Sequence, residues 1–371
     1  MPPSKLLAIY TKFSAYGGVS RMMVNLANAA AEHGIQVDIL PAAGEVPQHS
    51  FSPAVNVLPF KNRHVYSALP GLISYLKAKK PQALLAVRHR AINSAILAHL
   101  LSGQRDKTLL ALRLSGNISS SVHHKNFLAR SMHYLPIKAL YPKADLIISV
   151  SQGVADDLVS STRIADQNIK VLPNPSIPDY IQEWAARDPE HPWLQNKQKP
   201  VILAVGRFTK RKDFATLIRA FSLLLEGQQA RLILIGHGAE YSHLQNLTKE
   251  LGIEQYVDFP GYQENPYAYM SRSDLLVLSS TGAEGSPNVL KEAMALGLPV
   301  VSTDCPSGPR EILEHGKLGS LIPVQDPKAM AEAMLQTLRH PPQPETLRQA
   351  AQKYSVRSAA RTYLRELGLL T

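Results

Sequence analysis

Two carboxylates separated by seven residues, Glu284 and Glu292, are the chemically suggestive pair in this chain. They stand in residues 281–299, TGAEGSPNVLKEAMALGLP, which reads as a loop followed by a short helix. Ser286 occupies the place of an N-cap, with Pro287 at the first helical position. Gly297 and Pro299 close the helix after Leu296. If the loop continues the helical direction, an offset of eight residues corresponds to roughly 12 Å along the axis. Between the acids lie Gly285, Ser286, Pro287, Asn288 and Val289. The main-chain N–H groups of Asn288, Val289 and their neighbours sit at the positive end of a helix, a setting for an anion. A ligand with a diphosphate at its middle and a hydroxyl-rich ring at each end fits that layout. A nucleotide sugar is such a ligand.

A second set of groups suits the same anion. The buried run VILAVGRF (201–208) ends in Gly206-Arg207, Lys212 follows, and a helix is expected to begin near Phe214. One forked and one point-like cation at a strand end can neutralise charge that builds on a departing diphosphate. In the first half, Gly17-Gly18 joins a strand to a helix, so that backbone can approach a ligand closely. Neither this pair nor Gly236-His237-Gly238 has G-x-G-x-x-G spacing, which argues against a dinucleotide site. Tyr262, after VDFPG, is a candidate stacking or edge contact, with a packed aromatic as the equal alternative.

Glu284 and Glu292 match the E-x7-E signature of retaining glycosyltransferases of family GT4, which have the GT-B fold. The surrounding EGSPNVLKEAMALGLPVVSTDCPSGPREIL is similar to strings in that family, and Arg207 with Lys212 matches its G-R-x4-K pair. The resemblance runs strongly from Val201 to Pro323 and diffusely before it. It implies transfer of a hexosyl group from a nucleotide sugar, a UDP-sugar being expected, to an acceptor hydroxyl with retention of configuration. Arg207, Lys212 and the helix N-terminus would stabilise the diphosphate in place of a metal ion, so no metal or cofactor is expected. Glu292 would accept from the ribose and Glu284 from the transferred sugar. Gly17 and Gly18 match the family's glycine-rich first loop. Asp213 stands where relatives often carry glycine. Many relatives have a histidine near the end of a first-domain strand where this chain has Ser115-Gly116-Asn117. Arg113, Asn117 and His89 are the acceptor-side candidates here, with an ordinary loop residue as the alternative for His89.

These groups need a scaffold. The 371 residues are too many for a single ordinary core, so two domains are expected. Short apolar runs alternate with helical stretches in both halves, as in α/β proteins with parallel sheets. With the resemblance, this gives a GT-B fold: two Rossmann-like domains facing each other across a cleft, with a C-terminal helix crossing back. The polar, proline-bearing stretch 179–200 reads as the boundary. Residues 1–185 would then form an acceptor domain, completed by 346–371, and 186–345 a donor domain.

The net charge of +11 calls for an acidic partner. Between Lys61 and Lys143 there are fourteen lysines and arginines against Asp106 alone. Within that segment, HHKNFLARSMHYLPIKALYPKA mixes cations with Phe127, Leu128, Met132, Tyr134 and Leu135. Such a stretch suits an anionic membrane surface; a helix packed on its own domain is the alternative. No nucleic-acid motif is present. No apolar run reaches the length of a membrane span, and MPPSKLLAIYTKF lacks the apolar core of a signal peptide. One cysteine, Cys305, excludes an internal disulfide and reads as structural. The expected setting is cytoplasmic, at the inner membrane face, with a glycan or lipid-linked acceptor in cell-envelope synthesis. The rival readings are a nucleotide-sugar epimerase or a phosphorylase on the same fold, a non-catalytic nucleotide-sugar binder and, less compatible with a phosphate site, a glycoside hydrolase.

Overall fold

The structure, a computed structural model, describes residues 5–14, 17–44, 46, 50–58, 64–122 and 126–371. Lys61, Arg63 and Lys125 of the basic segment, the strand end Pro59-Phe60 and the Phe127 side chain lie outside the described residues. The chain divides into two units, residues 1–176 with 354–371, and residues 177–353.

In the first unit, β1 (Leu6–Lys12), α1 (Gly18–Glu32), β2 (Gln36–Ala43) and β3 (Val55–Val57) are followed by α2 (Leu69–Lys79), β4 (Ala83–Val87) and α3 (His89–Ser102). Then come β5 (Leu109–Leu114), α4 (Phe127–Leu140), β6 (Leu146–Ser149), α5 (Gln152–Thr162) and β7 (Ile169–Val171). Among the described residues these strands make one parallel sheet in the order β3-β2-β1-β4-β5-β6-β7. Strands such as ALLAV and LIIS are buried along their whole length. That is why they read as unbroken apolar runs: helices cover both faces of a parallel sheet.

The second unit begins with α6 (Ile181–Ala186) and α7 (Pro192–Gln195), then β8 (Val201–Val205), α8 (Phe214–Leu225), β9 (Arg231–Ile235), α9 (Tyr241–Glu250) and β10 (Val257–Gly261). It continues through α10 (Pro266–Arg272), β11 (Leu275–Leu278), α11 (Asn288–Ala295), β12 (Val300–Thr303), α12 (Pro309–Ile312), β13 (Ser320–Ile322), α13 (Pro327–Arg339) and α14 (Pro344–Ala351). Its parallel sheet has the order β10-β9-β8-β11-β12-β13. In each sheet the winding reverses once, between β1 and β4 and between β8 and β11. Ligands of open parallel sheets bind beyond the strand ends at such a reversal.

Two boundaries differ from the sequence reading. The stretch 179–200 is not a linker. Asn265 Nδ2 donates to the Trp184 carbonyl at 2.8 Å and Ser271 Oγ to that of Ala185 at 2.7 Å, which fasten α6 to α10 in the second unit. Its proline and polar content reflects two short helices, the second with Pro192 at its start and His191 as its cap. The terminal segment is likewise two helices. α14 packs on α11, whereas α15 (Val356–Glu366) packs on α1 and buries Tyr363, Leu364 and Leu367 in the first core. Between them Ser355 caps α15, its Oγ accepting from Ser358 N at 3.2 Å. Periodicity carried across that break hid the stop.

Candidate functional site

The loops leaving β8 and β11, the strands at the second unit's reversal, are laced together. Thr281 N donates to the Arg211 carbonyl at 2.9 Å, and Ser279 Oγ to that of Lys212 at 2.8 Å. Arg211 Nη1 donates to Ala283 O at 3.2 Å, and its stem lies where a side chain on Gly282 would have to go. Across this lacing Lys212 Nζ meets Glu284 Oε1 at 2.9 Å, with both side chains largely buried. Ser280 Oγ donates to the same oxygen at 3.1 Å. Among the described residues both partners hold Oε1, which leaves Oε2 able to accept from a hydroxyl.

A third loop supports the second. Glu284 N donates to Pro306 O at 3.1 Å, and a side chain at Gly308 would collide with the Glu284 and Gly285 carbonyls and Pro287. Thr303 Oγ1 donates to Ser280 O at 2.6 Å. Cys305 lies in this support. Burial first, then the Glu284 charge, pushes its thiol up to about 11, so it stays protonated at neutral pH. That agrees with a structural thiol.

α11 starts one residue later than the sequence suggests. Pro287 is extended, with φ −64° and ψ 117°, and Asn288 is the first helical residue. Ser286 does not cap it, because its hydroxyl is engaged by Lys291 Nζ at 3.0 Å. Residues 284–287 therefore do not prolong the helix, and the 12 Å spacing does not apply. No side chain caps α11 and no acidic residue lies in its first turn. Glu292 is only 3% exposed, and Tyr267 donates to its Oε1 at 3.4 Å.

The remaining candidates of this unit lie at the same strand ends. Arg207 is exposed just beyond β8, and the Lys212 stem passes Gly206 at ordinary contact distance. Asp213 is left-handed at φ 45°, a conformation that glycine adopts without strain. Aspartate tolerates it and caps α8, accepting from Thr216 N at 3.3 Å and Thr216 Oγ1 at 2.7 Å. Tyr262 is exposed and edges His237, ring centres 6.2 Å apart.

In the first unit, the ends of β1 and β4 bring Gly17, Gly18 and Arg88 together. Gly17 caps α1 in extended backbone, Gly18 is its exposed first residue, and Arg88 Nη2 donates to Ser14 Oγ at 3.4 Å. His89 opens α3 and pairs through Nδ1 with the buried Tyr141 hydroxyl at 2.9 Å. Burial first, then His133 and Arg90, lowers its pKa to about 4, so the ring is neutral at physiological pH. Asn117 is half-buried, its carbonyl accepting from Ser120 Oγ at 2.7 Å.

Arg113 is a correction. It is 1% exposed in the middle of the unit and donates from Nε to Tyr363 Oη at 3.1 Å, from Nη1 to Ser115 Oγ at 3.0 Å and from Nη2 to Asn174 Oδ1 at 2.5 Å. Every guanidinium nitrogen is thus occupied in bracing α15 and the strand exit, and Arg113 is not an acceptor contact.

Sequence reasoning passed over Ser280, Arg211 and Lys291. Arg211 looked like one cation among several in GRFTKRK. Lys291 sits in an α11 stretch, Leu290 to Met294, that is buried on all sides. A lysine inside such a helix must have a polar partner, but the burial itself was not visible in the sequence. Among the described residues no cluster of three or more histidine, cysteine or acidic side chains could hold a metal ion.

Residues 188–354 match the Glycosyl transferases group 1 family, and residues 16–179 match Glycosyltransferase Family 4. The chain belongs to this family of GT4 glycosyltransferases and has its GT-B fold. It is 34% identical over 58% of its length to the N-acetylgalactosamine-N,N'-diacetylbacillosaminyl-diphospho-undecaprenol 4-alpha-N-acetylgalactosaminyltransferase of Campylobacter jejuni, and the match spans 56% of that relative's length. The apo lipopolysaccharide outer core galactosyltransferase WaaB superposes with a TM-score of 0.77 at 20% identity, covering 98% of this chain and 99% of the other. The Anabaena protein Alr3699/HepE, solved with UDP, gives 0.79 at 18% identity, covering 99% and 100%.

Proposed function

We propose that the protein transfers a hexosyl group from a nucleotide sugar, a UDP-sugar, to the hydroxyl of a glycan or lipid-linked acceptor in lipopolysaccharide or polysaccharide synthesis, with retention of configuration. The observation that carries this reading is the Lys212–Glu284 pair at the tip of α11, where a cation for phosphate adjoins an acceptor for sugar hydroxyls. Arg207, Lys212 and the first-turn N–H groups of α11 stabilise the diphosphate as the bond from the anomeric carbon to the phosphate oxygen breaks. Glu284 Oε2 accepts from the transferred sugar, and Glu292 from the ribose. Gly285, Ser286 and Pro287 shape the loop, Asn288 and Val289 supply amides, and Tyr262 borders the base. The acceptor hydroxyl forms the new bond on the leaving-group face and loses its proton to a phosphate oxygen. The two cations take the place of a metal ion, so turnover persists in chelator. Gly17 and Gly18 are read as contacts to the donor phosphate or the acceptor, and His89 and Asn117 as acceptor contacts. The names of the similar proteins, a diphospho-undecaprenol-dependent transferase and a UDP complex among them, support this reading.

The acceptor side is read as lying at the inner face of the cytoplasmic membrane. Leu128, Met132 and Leu135 are 70%, 70% and 68% exposed at i, i+4 and i+7 of α4, whose Ile137 is fully buried. Residues 107–144 contain no acidic side chain, and Arg130, Lys138 and Lys143 are exposed around that stripe. An apolar stripe on a helix that carries cations and no acidic side chain fits an anionic lipid surface. Among the described residues no helix is long and apolar enough to cross a membrane.

Calorimetry with UDP and GDP, followed by donor turnover with and without added acceptor, tests the reading. Binding of a nucleoside diphosphate with turnover that requires acceptor supports a transferase. Turnover without acceptor points to an epimerase, and binding without turnover to a non-catalytic protein. Arg207→Ala and Glu292→Ala are expected to abolish donor use in a folded protein. Unchanged donor affinity and turnover in both would refute the site assignment.

A further inference from the structure

Lys291 occupies the fourth position of α11 and is wholly buried. Helical side chains lean toward the N-terminus. Lys291 accordingly reaches back past the first turn, donating from Nζ to Ser286 Oγ at 3.0 Å and to the Ser286 carbonyl at 3.3 Å. An ammonium has three protons to give and no lone pair. The Ser286 oxygen must therefore be the acceptor, and its own proton has to be given to another group. Among the described residues the structure provides no acceptor for that proton, and Ser286 is half-exposed on the loop between Glu284 and the start of α11.

The electrostatics point the same way. A cation placed at the positive end of a helix opposes the helix dipole, and burial adds the loss of hydration. An anion over the loop is attracted by both the helix end and the ammonium. Lys291 also fixes the Ser286 carbonyl, which holds the turn that presents the α11 amides.

We propose that Lys291 and Ser286 form a relay for the diphosphate: the buried ammonium polarises the Ser286 hydroxyl and aims its proton at a phosphate oxygen. Ser286 is then a direct ligand of the donor, and Lys291 is a positioning residue that acts through it. The inference rests on the donor-site reading above and adds a third cation to Arg207 and Lys212. Its contact is to phosphate alone, so it distinguishes ligands by that group and is indifferent to base and sugar.

The test compares wild type, Ser286→Ala, Lys291→Met and the double variant by calorimetry. The probes are inorganic pyrophosphate, whichever of UDP or GDP the wild type binds, and the matching nucleoside, which lacks phosphate. Losing a hydrogen bond to a charged group weakens binding about 10- to 100-fold. That loss is expected for pyrophosphate and the nucleoside diphosphate with Lys291→Met, and a loss nearer the lower end with Ser286→Ala. Nucleoside affinity should stay at the wild-type value in both, which a merely structural defect would not allow. The double variant should be no weaker than Lys291→Met alone. Pyrophosphate affinity within twofold of wild type in Ser286→Ala would overturn the relay while leaving the donor site standing. Failure of wild type to bind pyrophosphate or either nucleoside diphosphate would remove both. Should Lys291→Met not fold, the half-exposed Ser286→Ala still decides the matter.

Discussion

Lys212 and Glu284 face each other at 2.9 Å, so donor and carboxylate compete for one ammonium. At 2.9 Å and an effective dielectric constant of about 20, the Coulomb attraction is about 6 kcal/mol. Desolvation of two largely buried groups offsets much of it, leaving a coupling of about 2 kcal/mol. The perturbation is the cycle of Lys212→Met, Glu284→Gln and both together. Each single change strands a buried partner and should cost about 3 kcal/mol in urea unfolding. The double change should cost about 2 kcal/mol less than the sum. Titration with UDP separates the roles further. Lys212→Met should weaken UDP about tenfold or more. Glu284→Gln, which frees the ammonium, should tighten it about threefold, while sugar transfer is lost. Additivity within about 0.5 kcal/mol, together with a Glu284→Gln variant that binds UDP as poorly as Lys212→Met, would refute the reasoning.

Other perturbations address the first unit. Arg113→Met should lower unfolding free energy by about 3 kcal/mol and Tyr363→Phe by about 1 kcal/mol, the latter with an unaltered acceptor KM; a change in acceptor KM without lost stability would return Arg113 to the acceptor side. His89 should titrate near pH 4 by NMR. Its folded pKa lies below the unfolded value of about 6.5, so its contribution to stability is complete above pH 6.5 and falls away from there down to about pH 4. With half-exposure discounted, the loss is about 1–2 kcal/mol, and His89→Asn should flatten that part of the profile. Leu128→Ser with Met132→Ser should release the protein from phosphatidylglycerol vesicles, and added salt should weaken the wild-type interaction; equal sedimentation of variant and wild type would count against the α4 surface.

The sequence announced the parallel strands well, because a strand covered on both faces is a continuous apolar run. The run VILAVGRF opens on β8 at Val201, but the strand stops at Val205, three residues short. The E-x7-E and G-R-x4-K patterns led to Lys212 and Glu284, but not to their direct contact. That contact depends on lacing from Arg211, Ser279 and Thr281, whose polar side chains and backbone groups look like ordinary loop composition. Arg113 misled for a related reason. An arginine near a strand end looks like a ligand contact, and only the fold shows that Tyr363, some 250 positions later, faces it. Ser286 looked like a cap because serine before proline usually is one, and a lysine five residues on claimed it instead.

The return of the chain to its first core has a consequence for biosynthesis. Lys5 Nζ donates to Leu369 O at 2.9 Å and Gln82 Nε2 to Gly368 O at 2.7 Å, so residues 368–369 close over the starts of β1 and β4, made some 300 positions earlier. Ser176 N, on the way out, bonds Tyr354 O on the way back at 3.0 Å. Until α15 has left the ribosome, the surface that it will cover stays open and apolar. The unit translated first is therefore completed after the second, and a nascent chain stalled short of Tyr363 carries a complete second sheet and a first one still uncovered.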